Sequence, residues 1–420
     1  MKALTSRHIR IAFLNQLSLS ETKRINLFFL GFILYSLGFA LAATGLINYI
    51  VCSSIQVVGV FLFFPAIISL INFRIENGYL RILFYLYLCY LITIIFRGFI
   101  FEYFLMRNLL IDAWYGLFIY ATPLVFLFPM KLGFFKKLID ATKLFAILSL
   151  LIFLLFSAYI LLKSSDQAIV MTEIFSRSLG LAAGFVLFTF PYHSWKTNTL
   201  SFTVIISIFM LATFHGRRGL MLYMGLILMI AGLIYLSRGE NRLLMGVILL
   251  MLFSSVVLVG AEALDKSSLF STVMDRGLED TRSTVAICFY EDMSDRDWLI
   301  GKGLMGQYFC PGIDWDDTTL YRSVIETGFL QIILKGGVIS LALLLLIMIP
   351  AAFLGIFFSE NLISRAFGLW IFVGIVNMYP SSVDTFTLNY LMMWIGVAVC
   401  YSSEIRNLND ATVMQYLKKL

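Results

Sequence analysis

The stretch LATFHGRRGLMLYMG, residues 211 to 225, sets His215 and the adjacent Arg217 and Arg218 between two long apolar runs. Arginine is costly to bring to a bilayer, so its placement there asks for a reason. Two are open. A guanidinium at the end of a span can snorkel to the interface and anchor its helix, or it can take part in chemistry. Lys302 lies between Gly301 and Gly303, a pattern shared by phosphate-binding loops and plain turns. Arg322 and Glu326 stand four residues apart, which on a helix gives them one face, either as a simple pair or as a cation beside a proton acceptor. Asp314, Asp316 and Asp317 around Trp315 resemble the acidic pair that holds a divalent ion on a nucleotide diphosphate, but their position just ahead of an expected helix explains them as caps and turn formers. Trp298 and Trp315 could stack on sugar faces or pack a loop core. There is no His/Cys metal spacing, no P-loop and no GxSxG, so neither a metal nor another cofactor is expected.

The elements that must position these residues are membrane helices. Hydrophobic residues make up 60% of the 420 and charged ones 13%, about half the share usual in soluble domains. Apolar runs near the roughly 20 residues needed to cross about 30 Å of hydrocarbon occur at 25–50, 55–73, 79–95, 113–128, 142–162, 179–192, 200–214, 220–236, 243–259, 338–358, 366–378 and 386–401. The fold class expected is therefore an all-α polytopic membrane protein of about twelve transmembrane helices. The first run starts too late and is too long for a cleaved signal peptide, so it reads as a retained span. No repeat, low-complexity tract or linker divides the chain, and 1–420 reads as a single membrane domain.

Cations in short loops set the orientation. With the N-terminus inside, the cytoplasmic side collects Lys2, Arg7, Arg10, Lys23, Arg24, Lys131, Lys136, Lys137, Lys143, Arg238, Arg242, Arg365, Arg406, Lys418 and Lys419. His8 and His193 fall on that side too. The net charge of +6 reflects this bias and attraction to membrane lipids, and is no evidence for nucleic acid. Against the bias, Arg217 and Arg218 lie outside, as does a polar insertion over 261–322, between the ninth and tenth spans, that holds 12 of the 25 acidic residues. Within it DTRSTVAICFYEDM reads as a short amphipathic helix capped by Asp280 or Thr281, with Val285, Ile287 and Phe289 or Cys288 available for burial. DWLIGKGLMG breaks regularity with Gly301, Gly303 and Gly306. DDTTLYRSVIETGFLQIILKGG then reads as a helix capped at Asp317 or Thr318 and stopped by Gly336 and Gly337.

In order and spacing these motifs resemble the O-antigen polymerase (Wzy) and O-antigen ligase superfamily. Gly216 and Arg217 match the GR or SR pair at the outer end of a middle span. Arg282 matches the arginine of the long outer loop, Gly301-Lys302-Gly303 its GxG turn, and YRSVIETGFLQIILKGG its final helix in the form associated with polymerases. The likeness covers roughly 202–347. It implies a GT-C-like glycosyltransferase at the periplasmic face of the bacterial inner membrane, polymerising undecaprenyl-pyrophosphate-linked oligosaccharide repeats, with donor and acceptor both lipid-linked and a Wzz-type chain-length regulator as a further partner. Arg217 would bind the pyrophosphate and stabilise it as a leaving group, since a guanidinium donates two hydrogen bonds and stays charged. Arg218, Arg282, Lys302 and Arg322 would complete the pocket. For Arg282 a structural bridge to the loop acids stays open.

Ligases carry a histidine near the start of that final helix. Here Tyr321, Arg322 and Glu326 stand instead, which favours the polymerase and leaves Glu326, then His215, as candidates to take the acceptor's proton. A ligase moving finished glycan to lipid A core is the near alternative. From hydropathy alone a flippase or other transporter also fits; it would show internal repeats, interrupted helices and ionisable groups at mid-membrane. A membrane scaffold is a further alternative. Cys52, Cys89 and Cys400 fall in apolar spans, whereas Cys288 and Cys310 share the outer loop, either as a disulfide or as free thiols.

Overall fold

The computed structural model describes residues 17–98, 103–162, 166–238, 281–311 and 320–419. Its helices, in chain order, are α1 (Leu19–Ala42), α2 (Tyr49–Leu70), α3 (Gly78–Arg97), α4 (Tyr103–Ile111), α5 (Leu132–Leu155), α6 (Ser157–Leu162), α7 (Asp166–Phe175), α8 (Ala183–Phe188), α9 (Trp195–Phe214), α10 (Arg218–Arg238), α11 (Thr281–Asp292), α12 (Asp295–Ile300), α13 (Gly328–Phe357), α14 (Leu362–Asn377), α15 (Leu388–Tyr401), α16 (Ser403–Arg406) and α17 (Asp410–Lys419). Two short strands, β1 (Tyr308–Phe309) and β2 (Tyr321–Arg322), pair antiparallel. Among the described residues seven helices are long and apolar enough to cross a membrane, and the chain is an all-α polytopic membrane protein. Their outer faces carry bare apolar side chains such as Phe61, Phe96, Leu154 and Met210, a surface that only lipid can cover at this extent.

Eleven of the twelve expected apolar segments have a helical counterpart, and the other, 243–259, lies outside the described residues. Three are not the simple spans expected. The run 25–50 is broken: α1 stops at Ala42, the chain turns through Gly45 at φ 62°, and Asn48 caps α2 by accepting from the Ile50 amide. Turn and cap chemistry outweighs uninterrupted hydropathy there. The run 113–128 is a 3-10 segment, Leu117–Leu127, containing Pro123. The run 179–192 is split among the end of a π turn over Ser176–Gly180, α8 and a 3-10 turn at Phe190–Tyr192. Such backbone is tolerated at membrane depth only when wrapped by protein, and here Thr122, Phe126, Leu179 and Phe188 are all buried.

Glycine sets the closest helix contacts. A Cβ on Gly31 would come 2.6 Å from the Gly59 carbonyl oxygen, so α1 and α2 meet backbone to backbone, as small residues allow in membranes. Deeper in, Tyr35, Phe63, Phe118 and Phe386 from four elements form one aromatic cluster with ring centroids 5.2 to 5.9 Å apart.

Cross-chain bonds sort the connections to two ends of the bundle. At one end Lys131 pairs with Glu21 at 2.9 Å, Arg406 donates to the Phe358 carbonyl at 2.8 Å, and Asp410 binds the Tyr192 hydroxyl. This end holds several of the cations expected inside. At the other end Gln167 reaches the Thr44 carbonyl, the Phe386 amide donates to Ala113 at 2.7 Å, and the Gly328 amide donates to Met378 at 2.8 Å. Arg217 and the polar insertion share this second end, as their common placement by sequence requires.

There the insertion builds a small second core. α11 appears where the amphipathic pattern placed it, and Val285, Phe289, Tyr308 and Ile325 pack onto Ile333 and Leu334 of α13. Ile287, expected to be buried, is instead 55% exposed, because the buried stripe of α11 follows the four-residue step from Val285 to Phe289. Cys288 and Cys310 form a disulfide that ties α11 to the end of β1.

Candidate functional site

The glycines of the insertion and of α13 are two halves of one contact. Gly337, at φ 66° and ψ −176°, breaks α13 and frees carbonyls of the turn before it. The Lys302 amide donates to Leu334 at 2.8 Å, the Gly303 amide to Lys335 at 2.9 Å, and the Tyr90 hydroxyl to Gly336 at 2.8 Å. The extramembrane turn thus replaces the helical bonds the kink removes, as buried carbonyls require. Approach is so close that a Cβ on Gly301 would lie 2.5 Å from the Gly336 amide nitrogen. Arg97 at the end of α3 seals the contact from the side, donating to the Gly301 carbonyl at 3.1 Å. The helix does stop at Gly336 and Gly337 as expected, and α13 resumes beyond them as the next span.

Its beginning differs. α13 starts at Gly328, while Tyr321 and Arg322 are in β2, held against β1, whose end the disulfide ties to α11. Arg322 and Glu326 therefore do not share a helix face. Strand pairing with Phe309 and Tyr308 prevails over local helical spacing.

The charged centre lies where the π turn meets the α9–α10 corner. Gly216, at φ 64°, makes that corner, the Arg217 amide closes it onto Ala212 at 2.8 Å, and the Arg217 side chain turns inward. Its Nη2 lies 3.2 Å from Oε2 of Glu173, and Nε of Arg177 lies 3.0 Å from Oε1 of the same carboxylate. Glu173 and Arg177 are one helical turn apart at the α7–π junction. The Arg177 side chain is only 10% exposed and also sits over the Trp114 ring, 5.8 Å from its centroid. One carboxylate shared by two guanidinium groups leaves a net positive charge in a partly buried place, which favours an anion there.

The network continues. Arg177 Nη1 donates to the Ser382 carbonyl at 3.0 Å, and the Ser382 hydroxyl donates to the Asp384 carboxylate. Asp384 lines a cavity of about 40 Å³ together with Lys335, Gln331, Tyr87, Tyr120 and Tyr390. Lys335 donates to the Gly306 carbonyl at 2.8 Å, which joins the cavity to the GxG turn. Burial raises the pKa of Asp384 from the ordinary 3.8 to about 6, against the lowering effects of its hydrogen bond from Ser382 and of the Lys335 charge. Three cations and two carboxylates thus meet in one continuous network at the end of the bundle that bears the insertion.

Of the residues singled out from sequence, Arg217 is in this network. His215 is buried beside it, its ring edge to face with Phe214 at 5.0 Å. Arg218 is exposed at the start of α10. Lys302 is turned to Asp292, binding both its carboxylate and, at 3.2 Å, its carbonyl, so its side chain braces α11. Glu326 is exposed outside the cavity. Arg282 has its backbone in α11 and its side chain outside the described part, and Asp314, Trp315, Asp316 and Asp317 lie outside the described residues. Trp298 packs against Phe289 and is stacked on Tyr290, consistent with loop packing. His193 sits at the opposite end, where burial pushes its pKa down to about 3. Among the described residues no group of histidine, cysteine or carboxylate side chains could hold a metal.

Glu173, Arg177, Lys335 and Asp384 escaped the sequence reading. Each is an isolated ionisable residue within or beside an apolar run, which is itself a signal of function at membrane depth. The fold and site define a polytopic helical membrane protein with a net basic polar network at one end of its bundle. Comparison with protein families, curated proteins and solved structures finds no match for the chain.

Proposed function

We propose that this chain is a Wzy-type O-antigen polymerase, a glycosyltransferase that joins undecaprenyl-pyrophosphate-linked oligosaccharide repeats at the periplasmic face of the inner membrane. The observation that carries the reading is the pairing of Arg217 and Arg177 on Glu173 at the same end as the insertion. A substrate with a lipid tail and a doubly anionic linkage presents its charge at the level of a span's end, where these guanidinium groups wait. When the anomeric carbon leaves the pyrophosphate, charge grows on the leaving oxygen, and fixed cations bind that state more tightly than the ground state. Donor and acceptor are both lipid-linked repeats, and a Wzz-type partner sets chain length.

The test is complementation of cells from which the gene is deleted. Arg217→Ala should insert normally and leave single repeats on lipid A core. Long polymer stranded on the polyprenol carrier would instead indicate the ligase, and normal surface polymer would return Arg217 to membrane anchoring.

A second reading has an observation in its favour. The broken α7 to α8 segment, the kink at Gly337 and the ionisable groups beside them are features of transporters, so a flippase for lipid-linked oligosaccharide is the competing proposal. Purified protein in liposomes separates the two. A polymerase lengthens lipid-linked repeats presented on its own side, whereas a flippase moves them across without lengthening them.

A further inference from the structure

We propose that Asp384 is the general base of the transfer, accepting the proton of the attacking sugar hydroxyl at the cavity it shares with Lys335. The proposal rests on the polymerase reading and places the base on the loop between α14 and α15, away from both Glu326 and His215. Three observations lead to it. Asp384 faces a cavity large enough for a water or two, whereas Glu326 is exposed outside it. The Ser382 hydroxyl donates to one carboxylate oxygen and the Ser382 carbonyl receives Arg177, so the acid is tied by one residue to the guanidinium pair. Finally, the groups facing Asp384 come from every wall: Lys335 of α13, Tyr87 of α3, Tyr115 and Tyr120 of the 3-10 region and Tyr390 of α15. Of these only Lys335 carries a charge at neutral pH, and it favours the ionised carboxylate that a base must present.

The step balances without any other reactant. The acceptor hydroxyl oxygen bonds to the anomeric carbon while the bond from that carbon to the pyrophosphate oxygen breaks. The bonding pair leaves with the phosphate, held by Arg217 and Arg177. The hydroxyl proton passes by way of a water in the cavity, which is too small for a sugar, to the Asp384 carboxylate, and is later released to solvent. A carboxyl group poised near 6 suits this work, being ionised at neutral pH and still basic enough to share a proton in the transition state.

The test uses the full chain in nanodiscs, with undecaprenyl-pyrophosphate-linked repeats extracted from cells deleted for the gene, and follows chain growth from pH 4.5 to 8.5. For the unaltered protein kcat/KM should fall as pH drops through about 6, where Asp384 takes up its proton. Asp384→Asn should lower transfer about 10²- to 10⁴-fold while retaining donor, read by co-purification of radiolabelled lipid. Asp384→Glu should restore part of the rate. Lys335→Met should move the acidic limb to higher pH, because the cation that favours ionisation is gone. An acidic limb that stays in place in both Asp384→Glu and Lys335→Met, or an Asp384→Asn protein with undiminished transfer, overturns the assignment while leaving the polymerase standing. No chain growth by the unaltered protein, with Asp384→Asn and Arg217→Ala equally silent, overturns the polymerase reading and the base together.

Discussion

Arg217, at the corner between α9 and α10, and Glu173 of α7 meet at 3.2 Å, and the same carboxylate holds Arg177 at 3.0 Å. Glu173 is thus a positioning residue for both guanidinium groups. Glu173→Gln keeps the shape but removes the charge that sets the forks, and polymer yield should fall by about one to two orders of magnitude, less than for Arg217→Ala. Arg217→Lys should recover only part of the activity, since an ammonium lacks the planar two-pronged donor. A KM rise in Glu173→Gln with kcat unchanged would assign Glu173 to binding alone.

The contact between the GxG turn and the broken helix makes a stability prediction. Gly301→Ala and Gly337→Ala each place a Cβ within 2.5 Å of backbone, on residues at φ 71° and 66°. Each should destabilise by about 1 to 3 kcal/mol or more, seen as a lower unfolding temperature in detergent. Gly225→Ala in α10, where an added Cβ meets nothing within 4 Å, should be neutral or stabilising. Equal effects at all three sites would refute the backbone-contact account.

The disulfide between Cys288 and Cys310 closes a separation of 22 residues. By the chain-entropy estimate its loss should cost the outer subdomain about 3 kcal/mol. Alkylation without reductant should leave both thiols unmodified, and Cys288→Ser with Cys310→Ser should speed proteolysis near α11 more than within the spans. Two alkylated thiols in the native protein would end this idea.

The two ends of the bundle should be on opposite sides of a membrane. With Cys52, Cys89 and Cys400 replaced by serine, single cysteines at the exposed Asp140 and Arg296 should label oppositely with an impermeant thiol reagent in intact cells. Labelling of both from one side would dismantle the site, because Arg217 shares its end with Arg296.

Hydropathy was enough to read the class and to locate the apolar helices, seven of which among the described residues are long enough to cross a membrane, because the transfer of apolar residues into hydrocarbon is nearly additive along the chain. The amphipathic pattern of α11, and the stop at Gly336 and Gly337, were equally local and equally legible. What hydropathy misjudged were segments whose backbone departs from the α-helix, at 117–127 and 176–192, where surrounding protein rather than lipid satisfies the chain. Arg322 and Glu326 illustrate the same limit at smaller scale. Their spacing is helical, yet a partner strand and a disulfide from elsewhere in the chain decide the conformation. The site belongs wholly to the tertiary structure. Sequence marked Arg217 by its cost, but its carboxylate, the second arginine, and the link through Ser382 to Asp384 and Lys335 come from four separate elements. Which charges meet depends on how each helix is rotated about its axis and where it is broken, and those are set by packing between helices, a property no single stretch of residues carries.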